Sequence, residues 1–171
     1  MTSFNIRHNI QKEKETNNEA FQTILSEIKN HISDGRIIFS KKSNLYDTFK
    51  SDKAEYLLLT KGFSLTDLEY PKEQMISWSH STRYTSPEFE NIFSQYESNL
   101  QTSKYFSEIQ SKIKEASLNN KSKLFIPYYG EYIELCKWLD MHQDYFAHEQ
   151  NIHIKIKGFF TNTGVKISWF F

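Results

Sequence analysis

The residues that could carry chemistry are few, and their spacing argues against catalysis. The six histidines are His8, His31, His80, His142, His148 and His153. A metal pair on a helix needs ligands three or four apart, so that both project from one face. His142 and His148 are six apart and fall on different faces. His148, Glu149 and His153 converge only if the chain folds back across a helix-to-strand turn, and nothing in the spacing specifies that. The single cysteine, Cys136, excludes an intramolecular disulfide and a cysteine-based zinc site. On an apolar helix face, with no sign of a base or a cationic neighbour, it reads as a buried thiol and not a nucleophile. There is no glycine-rich phosphate loop, G-x-S-x-G, H-E-x-x-H or calcium loop. The five glycines, at 35, 62, 130, 158 and 164, each fall near the end of an expected element and read as caps and turns. Glu131/Glu134, Asp140/Asp144 and Glu88/Glu90 are carboxylate pairs on expected helices. Acid–base work needs a cleft that separates two pKa values, and a solvated helix face supplies none. The expectation is a non-enzymatic chain with no cofactor and no metal.

What remains is binding chemistry. Lys155 and Lys157 share the polar face of one expected strand, and Lys166 falls on the next. Together with Tyr128, Tyr129 and the terminal Trp169, Phe170 and Phe171, they could hold single-stranded nucleic acid by charge and stacking. The plainer reading is a sheet face or edge guarded by lysines. The same aromatics are candidate anchors for a protein partner, since three consecutive aromatics must dock into a core or face something else. Charge balance favours the protein partner. Lys+Arg and Asp+Glu are 21 each, and a non-specific nucleic-acid binder is usually strongly basic.

The elements that must position these residues are legible from periodicity. Aromatics make up 16% of the 171 residues, which argues against disorder. Phe21, Ile24, Leu25, Ile28 and Ile32 form one helical stripe, stopped by Ser33-Asp34-Gly35. Arg36–Ser40 reads as a strand, and Leu45–Lys61 as a helix weakest near Ser51-Asp52. A strand opening at Phe63-Ser64-Leu65 and a strand over Gln74–Ser79 complete an α-β-α-β-β order. Past a linker at His80–Thr85, Ser86-Pro87-Glu88 is a good helix start. Helical spacing runs on through Phe89, Tyr96, Tyr105 and Ile113, with a break near Thr102-Ser103. A strand over Leu124–Tyr129 follows, its Pro127 favouring an edge. A helix over Glu131–Glu149, an alternating strand over Asn151–Phe160 and a last strand over Val165–Phe170 repeat the order. Gly164 is expected to supply a positive φ in the last hairpin loop.

The two halves also agree in letters. Ile76-Ser77-Trp78 and Ile167-Ser168-Trp169 close them alike. Laying Ser26-Glu27-Ile28 on Ser107-Glu108-Ile109 pairs Leu25 with Phe106 and Ile32 with Ile113. Counting back from the closing tripeptides puts Phe63 on Ile154 and Leu65 on Ile156. The offset grows from 81 to 91, which places ten extra residues in the middle of the second copy. The expected fold is α+β: two divergent α-β-α-β-β repeats, 1–80 and 81–171, packed as a pseudo-twofold unit with antiparallel hairpins. Each three-stranded half is too small to bury much alone, so a shared core is expected.

The stretch from Leu57 through Gly62-Phe63-Ser64-Leu65 to Met75-Ile76-Ser77-Trp78 resembles small proteins of tailed bacteriophages, and Gly164-Val165-Lys166-Ile167-Ser168-Trp169 resembles the same ending again. The second half departs from that pattern: His153 stands at the place of Gly62, and the middle is longer. The resemblance implies a phage protein and carries over no catalytic residue. The expected role is a protein–protein interaction component of the virion or its assembly. A phage-encoded modulator of a host protein or nucleotide messenger is one alternative, and nucleic-acid binding through the lysine face is the other. A protein partner is expected, with self-association as an alternative and no membrane. Met1-Thr2-Ser3-Phe4 opens no apolar signal segment, and no apolar run approaches a membrane span, so the expected location is the host cytoplasm or the particle.

Overall fold

The structure, a computed structural model, describes residues 18–50, 54–70, 72–80, 87–158 and 163–169. Helix α1 (Glu19–Asn30) begins where the Asn18 side chain accepts the Phe21 amide at 2.8 Å, satisfying one orphan donor of the first turn. It buries Ala20, Phe21, Ile24, Leu25 and Ile28. A 3-10 turn at Ile32–Asp34 leads to β1 (Arg36–Ser40). The expected second helix is two shorter ones, α2 (Asn44–Lys50) and α3 (Ala54–Thr60). Then come β2 (Ser64–Leu68) and β3 (Glu73–Ser77). β3 is the central strand, antiparallel to both neighbours, in the order β1-β3-β2. Ile37 and Phe39 of β1 and Ile76 of β3 are buried on the side where α1, α2 and α3 pack. Trp78 lies one residue past β3, fully buried. Its indole N–H donates to the Ile32 carbonyl at 3.1 Å, and its ring meets Phe63 edge-on at 6.5 Å.

In the second half α4 (Pro87–Gln101) and α5 (Lys104–Leu118) are separate helices, divided where Ser103 caps α5 by accepting the Tyr105 amide. β4 (Lys123–Pro127) follows. The long helix expected over Glu131–Glu149 is a 3-10 turn at Gly130–Tyr132 followed by α6 (Ile133–Met141) and α7 (Gln143–Glu149). His142 stands at the break. It is buried, its Nδ1 lies 3.1 Å from the Tyr96 hydroxyl, and no glycine or proline stands at the division. β5 (Ile152–Lys157) and β6 (Gly164–Trp169) close the chain, in the sheet order β4-β6-β5.

The protein is therefore α+β, with seven helices and two three-stranded antiparallel sheets among the described residues. Two compact units divide it. The first takes the described residues up to Ile32, Arg36–Trp78, and Pro87 to Ile92. The second takes Ser33–Gly35, Ser79 and His80, and the described residues from Phe93 onward. Helix α4 is thus divided, with Pro87 to Ile92 in the first unit and Phe93 to Gln101 in the second, and Phe89 packs edge-on against Phe63 at 5.6 Å in the first. No helix among the described residues is long and apolar enough to cross a membrane.

The registers correct the alignment read from letters alone. Leu65 faces Ile76, and it is Ile154, not Ile156, that faces Ile167. Ser64 and His153 likewise face Ser77 and Ser168, so Asn151 and not His153 occupies the place of Gly62. Both residues are left-handed, with φ of 99° at Gly62 and 52° at Asn151. Different side chains thus meet one backbone demand, the positive φ that turns a helix end into a strand. Aligned by their caps, Asn18 and Ser103, α1 and α5 set Phe21 on Phe106, Ile24 on Ile109 and Ile28 on Ile113, all buried. That register lies one helical turn from the Ser-Glu-Ile match, on the same helix face. The offset is then 85 at the helices, 87 at Ile37 and Leu124, 89 at Leu65 and Ile154, and 91 at Ile76 and Ile167. The offset between positions matched by register therefore grows in three steps of two residues. Gly164 is also corrected: it is the buried first residue of β6 and has no positive φ.

The left-handed demand at Asn151 is testable without reference to its side chain. Asn151→Gly is expected to be more stable than Asn151→Ala by about 1 kcal/mol, because both lose the amide and only alanine carries the steric cost of positive φ. Urea unfolding of the two variants measures it, and equal midpoints would contradict the left-handed assignment.

Candidate functional site

β6 lies between β4 and β5, and its pairing sets three rows across the second sheet. Lys166 stands between Phe125 and Lys155, Ser168 between Lys123 and His153, and Gly164 between Pro127 and Lys157. Side chains alternate along each strand, so these nine positions share one face. Ile126, Ile152, Ile154, Val165, Ile167 and Trp169 belong to the opposite face and are buried. Lys123, Phe125, His153, Lys155 and Lys157 are exposed, and Lys166 and Ser168 half-buried.

The charge on this face has one sign. Four of the nine positions are lysine and none is Asp or Glu. Lys29, Lys41, Lys50, Lys112 and Lys137 each sit within ion-pair distance of a carboxylate. Among the described residues no ion pair engages Lys123, Lys155, Lys157 or Lys166. Lys155 and Lys166 are direct cross-strand partners, with Cα atoms about 4.5–5.5 Å apart by antiparallel geometry. Like charges in that position repel.

Phe125 is the aromatic of this face, 45% exposed. Its seat is Gly164. A Cβ on that glycine would stand 2.5 Å from Cζ of the Phe125 ring and 2.4 Å from the Ile126 carbonyl oxygen. The ring therefore lies over bare backbone, which positions it without hiding it.

The residues singled out by sequence are distributed as follows. Lys155 and Lys157 are on the face. Tyr128 and Tyr129 follow β4 directly and are 37% and 68% exposed. The Tyr128 amide donates to the Thr163 carbonyl at 2.9 Å, and Tyr129 is extended before the 3-10 turn. Trp169 is 2% exposed and packs inward, so its indole offers no surface to a partner. Phe170 and Phe171 lie outside the described residues. Lys123 and Phe125 were missed. A strict alternation of Lys123, Phe125 and Pro127 against Leu124 and Ile126 was the available signal, obscured because Phe125 looks like a core residue.

Among the described residues the other titratable groups form no comparable site. Cys136 is fully buried with Sγ 3.8 and 3.7 Å from the Ile126 and Pro127 carbonyls, and burial pushes its thiol pKa up. A thiol held protonated is a poor nucleophile. Among the described residues there is no group of three His, Cys, Asp or Glu able to hold a metal ion. His148 lies against His80, ring centroids 4.9 Å apart. The chain matches no family model, no curated protein and no solved structure.

The His80–His148 contact gives the second unit a pH dependence. Burial, and secondarily the neighbouring His148, lower the His80 pKa, while Asp144 and Glu149 oppose the shift. A depressed folded-state pKa means the unfolded chain takes up the proton first. The His80 contribution is therefore complete above the ordinary histidine pKa and is lost as pH falls through that value toward the folded one. Stability against urea is expected to fall between pH 7.5 and 5.5, and His148→Asn to flatten the fall. A steeper fall in that variant would contradict the repulsion.

Proposed function

We propose that the protein is a non-enzymatic interaction component that takes an anionic partner on the outward face of its second sheet. The observation that supports this is the set of four lysines on one sheet face with no acid among them and, among the described residues, no ion pair. A folded protein that places Lys155 opposite Lys166 accepts repulsion that an acid at either position would relieve. A bound anion relieves it equally well. The buried, protonated Cys136 and the solvated carboxylates favour binding over turnover.

The resemblance of the Gly-aromatic start and the Ile-Ser-Trp endings to tailed-phage proteins supports a role in a phage particle, in its assembly or in the infected cell. The equal strand order of the two sheets, with Gly62 and Asn151 at one left-handed position, supports descent of both halves from one duplicated unit. Adhesion of a protein through Tyr128 and Tyr129 is a second reading, favoured by two adjacent, exposed tyrosines beside the face.

Retention on a phosphate-bearing cation exchanger tests the main reading. The formal net charge is zero, so retention at neutral pH reports a local patch and not bulk charge. Wild type is expected to be retained, and Lys155→Glu with Lys157→Glu to flow through. Lys29→Glu with Lys137→Glu changes net charge equally at lysines that already have carboxylate partners, and is expected to shift elution far less. Equal shifts from the two pairs would remove the sheet face as the contact surface.

A further inference from the structure

We infer that the outward face of the second sheet binds single-stranded nucleic acid, with phosphates along the β5 and β6 lysines and a base stacked on Phe125. This deepens the anionic-partner reading and rests on it. The argument for this one occupant starts from the aromatic. Charge alone would suit any polyanion. An exposed phenyl ring set in the same row as two unpaired lysines suits a ligand that alternates charge with flat apolar surface, and a single strand is such a ligand.

The spacing agrees. Lys155 and Lys157 are two residues apart on one strand, about 6.8 Å at the antiparallel rise. Lys166 is one strand away from Lys155, and Phe125 one further. Lys155 and Phe125 are thus separated by about 10 Å, two strand spacings. A backbone that follows β5 can turn its sugars and bases across β6 toward the ring. Lys123, two positions before Phe125 on β4 and about 6.8 Å from it, adds a fourth positive charge on the ring's side of the face.

A duplex fits less well. Its bases are already stacked on each other, so Phe125 gains nothing. The major groove admits a helix or a two-stranded ribbon, whereas these lysines lie across the flat face of three strands. An acidic protein segment would satisfy the lysines and leave the ring unused.

The seat of Phe125 explains how the platform is held. Gly164 lets the ring lie close over β6, and the packing that fixes the ring leaves it 45% exposed. Neutral net charge removes long-range attraction, so affinity depends on contacts at the face and falls steeply with salt.

The test is fluorescence anisotropy of the full chain with a labelled twelve-nucleotide thymidine strand, across salt. Four phosphate contacts predict a log–log slope of about −3, or roughly 50-fold weaker binding between 50 and 200 mM salt. Lys155→Glu with Lys157→Glu is expected to weaken binding at least tenfold and to reduce the slope by about half. Phe125→Leu keeps bulk over Gly164 but removes the ring, and is expected to cost about tenfold at unchanged slope. Phe125→Tyr is expected to retain binding, which separates a stacking role from a folding one.

The thymidine strand is then displaced by polyglutamate, by a duplex of equal length and by vesicles of anionic lipid. Weak competition by all three supports the inference. If polyglutamate or the vesicles compete as well as the strand does, and Phe125→Leu changes nothing, the single-strand assignment fails while the anionic-partner reading stands. If none of the four probes binds, both fail.

Discussion

Burial of Val165, Ile167 and Trp169 beneath β6 is the constraint on which the rest of the second unit depends. These three side chains fix which way β6 faces, and through its two ladders they fix β4 and β5 as well. The lysines project outward because the alternate positions cannot. A slip of one residue in either ladder would carry the lysines of one strand into the apolar side. The cost of burying an unpaired ammonium group is large enough to make that slip prohibitive. The sheet's charge pattern thus helps to specify its own register, and the same pattern leaves a surface that repels itself. Structure and surface chemistry are two readings of one alternation.

The first unit solves the same packing problem without producing the same surface. Its central strand β3 also stands between two antiparallel neighbours, with Ile76 where Ile167 is. Its outward row is Ile38, Met75 and Thr66, against Phe125, Lys166 and Lys155 in the second. The hydrophobic sides are alike while the outward sides differ. Demands on the inward side come from the helices, which both units have. Demands on the outward side come from whatever each face meets. A difference confined to that side is what separate roles for the two sheets would leave.

How much of this could be read from the chain varied with the physics involved. The alternation of Ile152, Ile154 and Ile156 with His153, Lys155 and Lys157 needs only a period of two, and β5 stands where that pattern put it. The break at Thr102-Ser103 was visible because serine is a good cap. The division at His142 was not, because both flanking segments keep a helical stripe and His142's buried partner, Tyr96, is 46 residues away in sequence. The equivalence of Gly62 and Asn151 was hidden for a different reason: letters compare side chains, whereas the two residues share a backbone angle. Lysine pairing across strands needed the register, which no one-dimensional pattern supplies. Phe125 was hidden because its type suggests a core position, and only the glycine opposite shows how a phenylalanine can be seated and still exposed.

The position of Cys136 has a practical consequence. It is the chain's lone thiol, it is shielded completely, and it lies behind the edge strand that carries Phe125, with its sulfur against the carbonyls of Ile126 and Pro127. A thiol-alkylating reagent can reach it only when α6 and β4 part. The rate of its labelling is therefore a built-in clock for the opening of that seam, readable by mass without an added probe. Any ligand that clamps β4 to the rest of the sheet slows the clock, whatever the ligand turns out to be.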